Sequence, residues 1–252
     1  MQITKELLDN YYSHTFDIER FKAGDPCGTV YELMKHTDNQ LDIEIGALLV
    51  AMISWGSRKV IIPTALHMLR DEMHWHPASF IMNKEYLHAY TSAKNGCVYR
   101  TLNVDTFRQV CDSLRQALNG HPTMESLFDD MPTKDVISTI CQWLTPARVG
   151  TMDKSACKRV CMFLRWMVRS GSPVDLGLWS DFIDRKTLII PLDTHVVRQS
   201  RRLGLLASSC ASMCAARRLS ASLAEVFPDD PLRGDFALFG YGVAHGRLHG
   251  ES

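Results

Sequence analysis

The amino-acid sequence predicts an all-α protein, and three observations support this fold class. Apolar residues recur at spacings of three and four along most of the chain, which is the spacing of one helical face, whereas the alternation typical of strands is scarce. Turn-forming segments rich in Gly, Pro, Asn and Asp separate these patterns, and none is long enough to be a flexible interdomain linker. The chain has 252 residues, of which 46% are hydrophobic, and is therefore large enough to bury a core.

The periodicity and the turn signals predict the helices in chain order. In the first part of the chain they are Thr4–His14, Thr29–His36, Asp42–Ser54, Arg58–Glu72 and Pro77–Met82. The central ones are Val104–Leu118, Met124–Phe128 and Lys134–Leu144. The last are Ser155–Ser170, Leu176–Phe182, Thr194–Leu203, Ser208–Val226 and Leu232–Gly242. The apolar run 45–55 is far shorter than the roughly 20 residues that cross a bilayer, so we predict a buried helix there and no membrane segment.

The formal net charge is zero, but the positive charge is concentrated in the second half of the chain. Residues 148–169 hold one acidic side chain, Asp153, and six basic ones: Arg148, Lys154, Lys158, Arg159, Arg165 and Arg169. Residues 195–218 add five arginines and no acid. This distribution indicates local binding of a phosphate backbone, although solvated helix faces would produce the same pattern.

The cysteines and histidines predict neither disulfides nor a metal site. The eight cysteines are spread over a chain too large to need crosslinks, and none forms a Cys-x-x-Cys pair, so we expect free thiols, mostly buried. His245 and His249 lie in a glycine-rich tail without an acidic partner nearby, which favours a surface pair over a ligand set. The N-terminal segment has no basic start followed by an apolar run, so we expect a cytoplasmic protein.

The helix predicted over Ser155–Ser170 carries a candidate nucleophile, Lys158. One face of this helix is apolar, and Lys158, Arg165 and Arg169 recur on the other, which predicts an exposed basic ridge facing phosphate. Asp153 or Ser155 is expected to cap the helix. A lysine near a positive helix end and other cations loses its proton more readily, and a neutral amine is what a nucleophile requires. The alternative is that Lys158 only contacts solvent or phosphate.

Asp193 is the candidate carboxylate. It follows an apolar approach and Pro191 and stands where the N-cap of the next helix belongs. A carboxylate there accepts backbone N–H groups, which lowers its pKa and keeps it ionised in one orientation. A purely structural cap would look the same. The helix after it carries a stripe of arginines, Arg198, Arg201 and Arg202, and ends at Gly204.

Several of these segments resemble one family. Pro191-Leu192-Asp193-Thr194-His195-Val196, followed by Arg198 and Arg202-Leu203-Gly204, resembles the V-D-T-H-V-x-R-x-x-x-R-L-G segment of the helix-hairpin-helix (HhH-GPD) DNA glycosylases. Three further matches resemble an uncharacterised bacterial branch similar to the archaeal 8-oxoguanine glycosylases: Ser155–Arg159, Phe163–Arg169 and Asp235–Gly240. The matching covers roughly 155–242, and the superfamily's early S-x-Q-x-x-D junction is only loosely similar to Ser54–Arg58.

The sequence departs from most of the superfamily in two respects. Pro146-Ala147-Arg148-Val149-Gly150 is a poor copy of the L-P-G-x-G hairpin, and 35 residues separate Lys158 from Asp193, more than in endonuclease III. The archaeal branch shares both departures. They leave Lys154, one turn away, as a rival nucleophile. Only Cys210 and Cys214 occur where relatives bind an iron–sulfur cluster with four cysteines, so we predict no cofactor.

The resemblance implies a two-lobed fold, with lobes 40–135 and 1–39 plus 136–252 in one domain and an active-site cleft between them. It implies a monomeric base-excision DNA glycosylase with abasic-site lyase activity on double-stranded DNA, acting on an oxidised purine such as 8-oxoguanine. Lys158 would form the Schiff base and Asp193 would be the catalytic carboxylate. The expected DNA contacts are Arg148, Lys154, Arg159, Arg165 and Arg198. Candidates for stacking on an extruded base are Trp55, Trp166, Phe236 and Phe239, although for each of them the size of the protein favours a place in the core.

Three alternatives remain at this point. The protein could be a monofunctional glycosylase, a non-catalytic DNA-binding module on the same fold, or a helical scaffold for a protein partner. A pure DNA-binding module has no need for both Lys158 and Asp193, and a protein scaffold would not show the steep salt dependence of phosphate contacts.

Overall fold

Helices dominate the part of the chain that the computed structural model describes, which comprises residues 6, 8–10, 24–93, 96–129, 131–172 and 174–238. The strands described are a short antiparallel pair, β1 (Cys97–Tyr99) and β2 (Leu102–Asn103), in which Tyr99 faces Leu102. The all-α prediction is therefore confirmed at the level of fold class. The hairpin was not predicted, because two or three residues are too few to show strand alternation.

The first half of the chain forms α1 (Cys27–Leu33), α2 (Gln40–Ile53), α3 (Arg58–Leu66), α4 (Pro77–Met82) and α5 (Val104–Ala117). The second half forms α6 (Thr133–Trp143), α7 (Lys158–Val168), α8 (Thr194–Arg202) and α9 (Met213–Val226). A π-helical segment, His67–Glu72, continues α3, and 3-10 turns lie at Glu85–Leu87, Glu125–Leu127, Thr145–Ala147 and Arg185–Thr187. Residues 8–10 and 233–238 are also helical. Most of the predicted helix Thr4–His14, and the end of Leu232–Gly242, lie outside the described residues.

The predicted helix Leu176–Phe182 is wrong. These residues instead turn back over the C-terminal end of α7, where the N–H groups of Leu176 and Gly177 donate to the Trp166 carbonyl and the N–H of Trp179 donates to that of Met167. Gly177 adopts a positive φ of 70°, which an L-residue rarely adopts. The turn inserts Trp179 into the core with no exposed surface.

The central helix α2 packs against α1, α4 and α7. Every residue from Leu41 to Ile53 is buried, which confirms the prediction of a buried helix. From Ile45 onward the helix has no charged residue on any side and therefore no face for solvent. One hydrophobic core cluster runs from Leu8 to Leu238. No helix within the described residues has the length and apolarity that crossing a membrane requires.

All eight cysteines are free thiols, and five of them are buried. No group of three or more His, Cys, Asp or Glu side chains within the described ranges is placed to hold a metal ion. His245 and His249 lie outside those ranges.

Glu44 is a fully buried carboxylate near the start of α2, in its second turn. It accepts hydrogen bonds from Trp179 Nε1 at 2.7 Å, from Gln40 Nε2 at 3.0 Å, and from the backbone N–H groups of Met124 and Glu125. It forms no ion pair with any described residue. Burial raises the pKa of Glu44 despite these four donors, which lower it. The carboxylate therefore ties α2 to two loops, but at an electrostatic cost when it is ionised.

The wild type should have a larger free energy of unfolding than Glu44→Gln, and we expect this difference to decrease as the pH rises above the ordinary pKa range of a glutamate. A carboxyl whose pKa is raised by folding binds its proton more tightly in the native state, so the native state loses stability as the pH rises through that interval. Glutamine does not titrate, and its amide NH₂ meets donors, which costs about 1–3 kcal/mol. Urea unfolding of both proteins between pH 4 and 7 measures the difference. A difference that is constant or grows with pH would contradict this account.

Candidate active site

The structure brings Lys158 and Asp193 together, as the resemblance implies. Lys158 is the first residue of α7, and Asp193 is the N-cap of α8. Lys158 Nζ lies 3.0 Å from Asp193 Oδ2, and 34% of each side chain is exposed. An ammonium and a carboxylate from separate helices therefore meet where a molecule in solution can reach both.

The carboxylate of Asp193 is held in one orientation from both sides. Its Oδ1 accepts the backbone N–H of Val196 at 2.9 Å, which confirms the predicted N-cap and leaves Oδ2 for Lys158. Burial alone would raise the pKa of Asp193, but the charge of Lys158 and the hydrogen bond from Val196 outweigh it, so the pKa is lowered overall. Asp193 is therefore ionised at neutral pH.

The start of α7 differs from the prediction. The helix begins at Lys158 and not at Ser155, and no side chain caps it, because Cys157 at the N-cap has a left-handed backbone with a φ of 46°. The Ser155 hydroxyl instead accepts the N–H of Cys157 at 3.1 Å, and Ser155 belongs to a turn in which its own N–H bonds to the Thr151 carbonyl. Capping by Asp153 or Ser155 is thus wrong.

Arg159 fixes the first turn of α7 to the rest of the protein. Its guanidinium donates to the carbonyl of Met52 at 2.8 Å, near the end of α2, and to the carbonyl of Arg148 at 2.7 Å. These bonds position the residue next to Lys158. They use two of the five guanidinium N–H groups and give Arg159 a structural role, while its contact with DNA stays a prediction.

Lys154 is exposed in the turn that precedes α7, and no contact between it and Asp193 is found among the described residues. The structure therefore favours Lys158 over its rival, because only Lys158 is paired with the carboxylate. Arg148 and Arg198, two other predicted DNA contacts, are also exposed and remain available to a ligand.

His195 lies beside the pair, on the first turn of α8. Its Nδ1 is 3.2 Å from Arg198 Nη2. A guanidinium only donates, so Nδ1 accepts and a neutral ring carries its proton on Nε2. Burial lowers the pKa of His195, and the charges of Arg198, Arg202 and Lys158 lower it further against the opposing charge of Asp193. His195 is therefore neutral at neutral pH.

The predicted basic ridge is wrong for Arg165 and Arg169, which are buried with 7% and 2% of their surface exposed. Arg165 pairs with Asp175 at 3.1 Å and with Asp235 at 2.7 Å. Arg169 also pairs with Asp175, and it holds Asp230 through two hydrogen bonds. Because three aspartates compensate the two cations in the interior, Arg165 is not available as a DNA contact.

This buried network is coupled electrostatically to the candidate site through Asp235. Burial raises the pKa of Asp235, the Arg165 guanidinium opposes the rise, and the charge of Asp193 adds to it. No motif or spacing in the sequence indicated a role for Asp175, Asp230 or Asp235. The sequence did contain a sign that the arginines of α7 are buried. Their face of the helix also carries Cys161, Met162 and Trp166, and a helix that is apolar nearly all round is buried.

The four candidate stacking residues have different surroundings. Trp166 is fully buried and Phe236 is 3% exposed, beneath the guanidinium groups of Arg165 and Arg169, so both are core aromatics without a face for an extruded base. Trp55 is half-buried, with Arg100 4.2 Å from its ring centroid. Phe239 lies outside the described residues. Trp55 is therefore the described candidate that keeps accessible surface.

Comparison with known proteins identifies a family but no characterised relative. The family described as "Protein of unknown function (DUF2400)" matches residues 25–244, a range that contains α1 to α9 and both Lys158 and Asp193. No curated protein and no solved structure matches the chain significantly.

Proposed function

The chain belongs to the DUF2400 family, and we propose that it is a base-excision DNA glycosylase with associated abasic-site lyase activity. The observation that carries the proposal is the half-exposed pair of Lys158 Nζ and Asp193 Oδ2, 3.0 Å apart at the starts of two helices. The proposed fold is the two-lobed HhH-GPD type, with lobes 40–135 and 1–39 plus 136–252.

The proposed reaction uses the amine and the carboxylate in sequence. The damaged nucleoside leaves the DNA stack, at a cost of a few kcal/mol, and its sugar enters the space beside the pair. Asp193 takes a proton from Lys158, whose neutral amine then attacks C1′ while the bond from C1′ to the base breaks. The base leaves with the electron pair and takes up the proton that Asp193 received, so the carboxylate is ionised again and stabilises the positive charge of the adduct at C1′.

Strand cleavage follows from the same covalent bond. Opening of the sugar ring converts the adduct at C1′ into a Schiff base with Lys158, and this imine acidifies the neighbouring C2′ hydrogen. Loss of that proton to water leaves an electron pair that forms the C2′–C3′ double bond and expels the 3′ phosphate by β-elimination, and hydrolysis of the imine restores the lysine. The geometry supports this role for Lys158 because its base, Asp193, is already within hydrogen-bonding distance. The substrate class, an oxidised purine such as 8-oxoguanine, rests on the family resemblance.

Borohydride trapping on a panel of duplexes tests the proposal. Each duplex carries 8-oxoguanine, thymine glycol, uracil or an abasic site, and we expect a covalent adduct with the abasic site and with 8-oxoguanine. Base release without an adduct would indicate a monofunctional glycosylase. Duplex binding without any chemistry would indicate a DNA-binding module, and the absence of both would refute the proposal.

We expect Asp193→Asn to lower the rate of base excision by roughly 10²- to 10⁴-fold while duplex binding is retained. Asparagine keeps the shape and is a good N-cap, so α8 stays intact, but it cannot take a proton or carry the charge. Because the pKa of Asp193 is lowered, the wild type should lose no activity through this group until the pH falls below the ordinary range of an aspartate. Single-turnover kinetics measure the excision rate, and a binding assay measures duplex affinity. An equal loss of excision rate and duplex affinity would contradict the assignment of Asp193 as the catalytic carboxylate.

A further inference from the structure

A cavity of about 500 Å³ lies along α8, the helix that Asp193 caps. Three arginines and two hydroxyl side chains provide its polar groups, and Val197 adds an apolar wall. We call this cavity the α8 groove, and its lining is Thr194, Val197, Arg198, Arg201, Arg202 and Ser209. Thr194 directly follows Asp193, so one end of the groove lies at the start of α8, where Asp193 is the N-cap.

The arginines of the α8 groove are exposed and are not neutralised by any carboxylate within the described residues. Arg198 contacts His195 at 3.2 Å, and Arg202 contacts the Gln199 side-chain oxygen at 3.4 Å. Segment 195–218 contains no acidic residue that could compensate them. The buried Arg165 and Arg169, by contrast, are fully paired. Three uncompensated cations around one groove produce a positive potential that attracts an anion.

The positions of these arginines suit a linear polyanion that passes the active site. Along an α-helix with a rise of 1.5 Å per residue, Arg198, Arg201 and Arg202 lie about 8 to 14 Å beyond Asp193. A strand of duplex DNA that runs parallel to α8 advances about 3.4 Å per nucleotide, so along such a strand this distance corresponds to roughly two to four nucleotides. The guanidinium fork binds phosphate oxygens in pairs, and the Thr194 and Ser209 hydroxyls are additional donors.

We propose that the α8 groove binds backbone phosphates of one DNA strand, roughly two to four nucleotides from the nucleoside that reaches Asp193. The inference rests on the proposed function for the position of that nucleoside. It adds Arg201 and Arg202 as positioning residues that hold the strand in register and do not touch the reacting atoms.

The first test measures the salt dependence of duplex binding for the double variant Arg201→Gln/Arg202→Gln. The duplex carries a tetrahydrofuran abasic analogue, which binds but cannot react, so the measurement does not depend on catalysis. Each lost phosphate contact lowers the slope of log K against log salt concentration by about 0.9, so we expect a decrease of nearly two. We also expect affinity near 100 mM salt to fall roughly threefold to tenfold per arginine.

A matched control removes two charges elsewhere. Lys35 and Arg70 are exposed and already pair with Glu32 and Asp71, so Lys35→Gln/Arg70→Gln should leave the slope unchanged. Equal slopes for the wild type and the groove variant would overturn the proposal. A second result would also overturn it: the wild type binds polyglutamate, and the groove variant loses this binding but keeps the duplex affinity of the wild type. That result would assign the groove to an acidic peptide.

The second test locates the contact on the strand. Neutral methylphosphonates replace single phosphates within four nucleotides on either side of the abasic analogue. We expect a replacement two to four nucleotides away on one side to weaken the wild type severalfold and to leave the groove variant unaffected, because the contact is already lost. If each methylphosphonate weakened duplex binding by the same factor in the wild type and in the groove variant, the effects would be additive at every position and the proposal would be overturned.

The two proposals can fail separately. If the position-specific non-additivity is found but no lesion yields a trapped adduct, the groove is a phosphate site and the proposed catalytic function is wrong. If adducts form while the effects are additive everywhere, the catalytic proposal survives and the groove proposal fails. Absence of any duplex binding overturns both.

Discussion

Lys158→Gln should leave no borohydride-trapped adduct with a duplex that carries an abasic site, and the lyase rate should fall on the order of 10³-fold or more. The reason is covalent, because an amide nitrogen does not form a Schiff base with the sugar. Glutamine can still hydrogen-bond to Asp193, so the two helix starts stay together. Trapping and single-turnover strand cleavage measure the effect, and circular dichroism with duplex affinity shows that fold and binding persist.

Lys154→Gln is the matched control for this variant. It removes the same functional group four residues upstream, from an exposed turn, and it leaves the pair of Lys158 and Asp193 in place. We expect its adduct yield to equal that of the wild type apart from any change in duplex affinity. An adduct that survives Lys158→Gln but disappears in Lys154→Gln would move the nucleophile by one turn and contradict the assignment made from the 3.0 Å contact.

Asp175→Asn should destabilise the protein by about 3–5 kcal/mol, the range found when one partner of a buried ion pair is removed. Asp175 has no exposed side-chain surface and pairs with both Arg165 and Arg169. The amide cannot carry the charge that balances two buried guanidinium groups, and its NH₂ faces donors. Since whole proteins are stable by only about 5–15 kcal/mol, this single change should shift the urea midpoint strongly.

Glu32→Gln provides the comparison for Asp175→Asn. Glu32 pairs with Lys35, but 40% and 67% of these side chains are exposed, and exposed pairs contribute little to stability. We expect its urea midpoint to stay close to that of the wild type. Equally small shifts of the urea midpoint in Asp175→Asn and Glu32→Gln would contradict this prediction. They would show that the buried network is not needed for stability.

The amino-acid sequence by itself determined the features that depend on neighbouring residues. The burial of α2 follows from a run that is apolar on every side, and the N-cap role of Asp193 follows from its place between Pro191 and the amphipathic pattern of α8. Both are local, because periodicity and capping involve residues within one or two helical turns. For the candidate site, the sequence identified the amine and the carboxylate through a resemblance, and the structure then placed them in contact.

The tertiary structure alone decided which carboxylates balance the charges of α7. The apolar residues beside Arg165 and Arg169 are a local sign of burial, but the partners that make burial of two cations possible lie far along the chain, such as Asp235, 70 residues from Arg165. The same holds for Trp179, which the turn after α7 brings onto Glu44, 135 residues away. A charge or a polar group can be buried without a large cost in free energy only when a partner side chain contacts it. Which distant residue makes that contact depends on the complete fold.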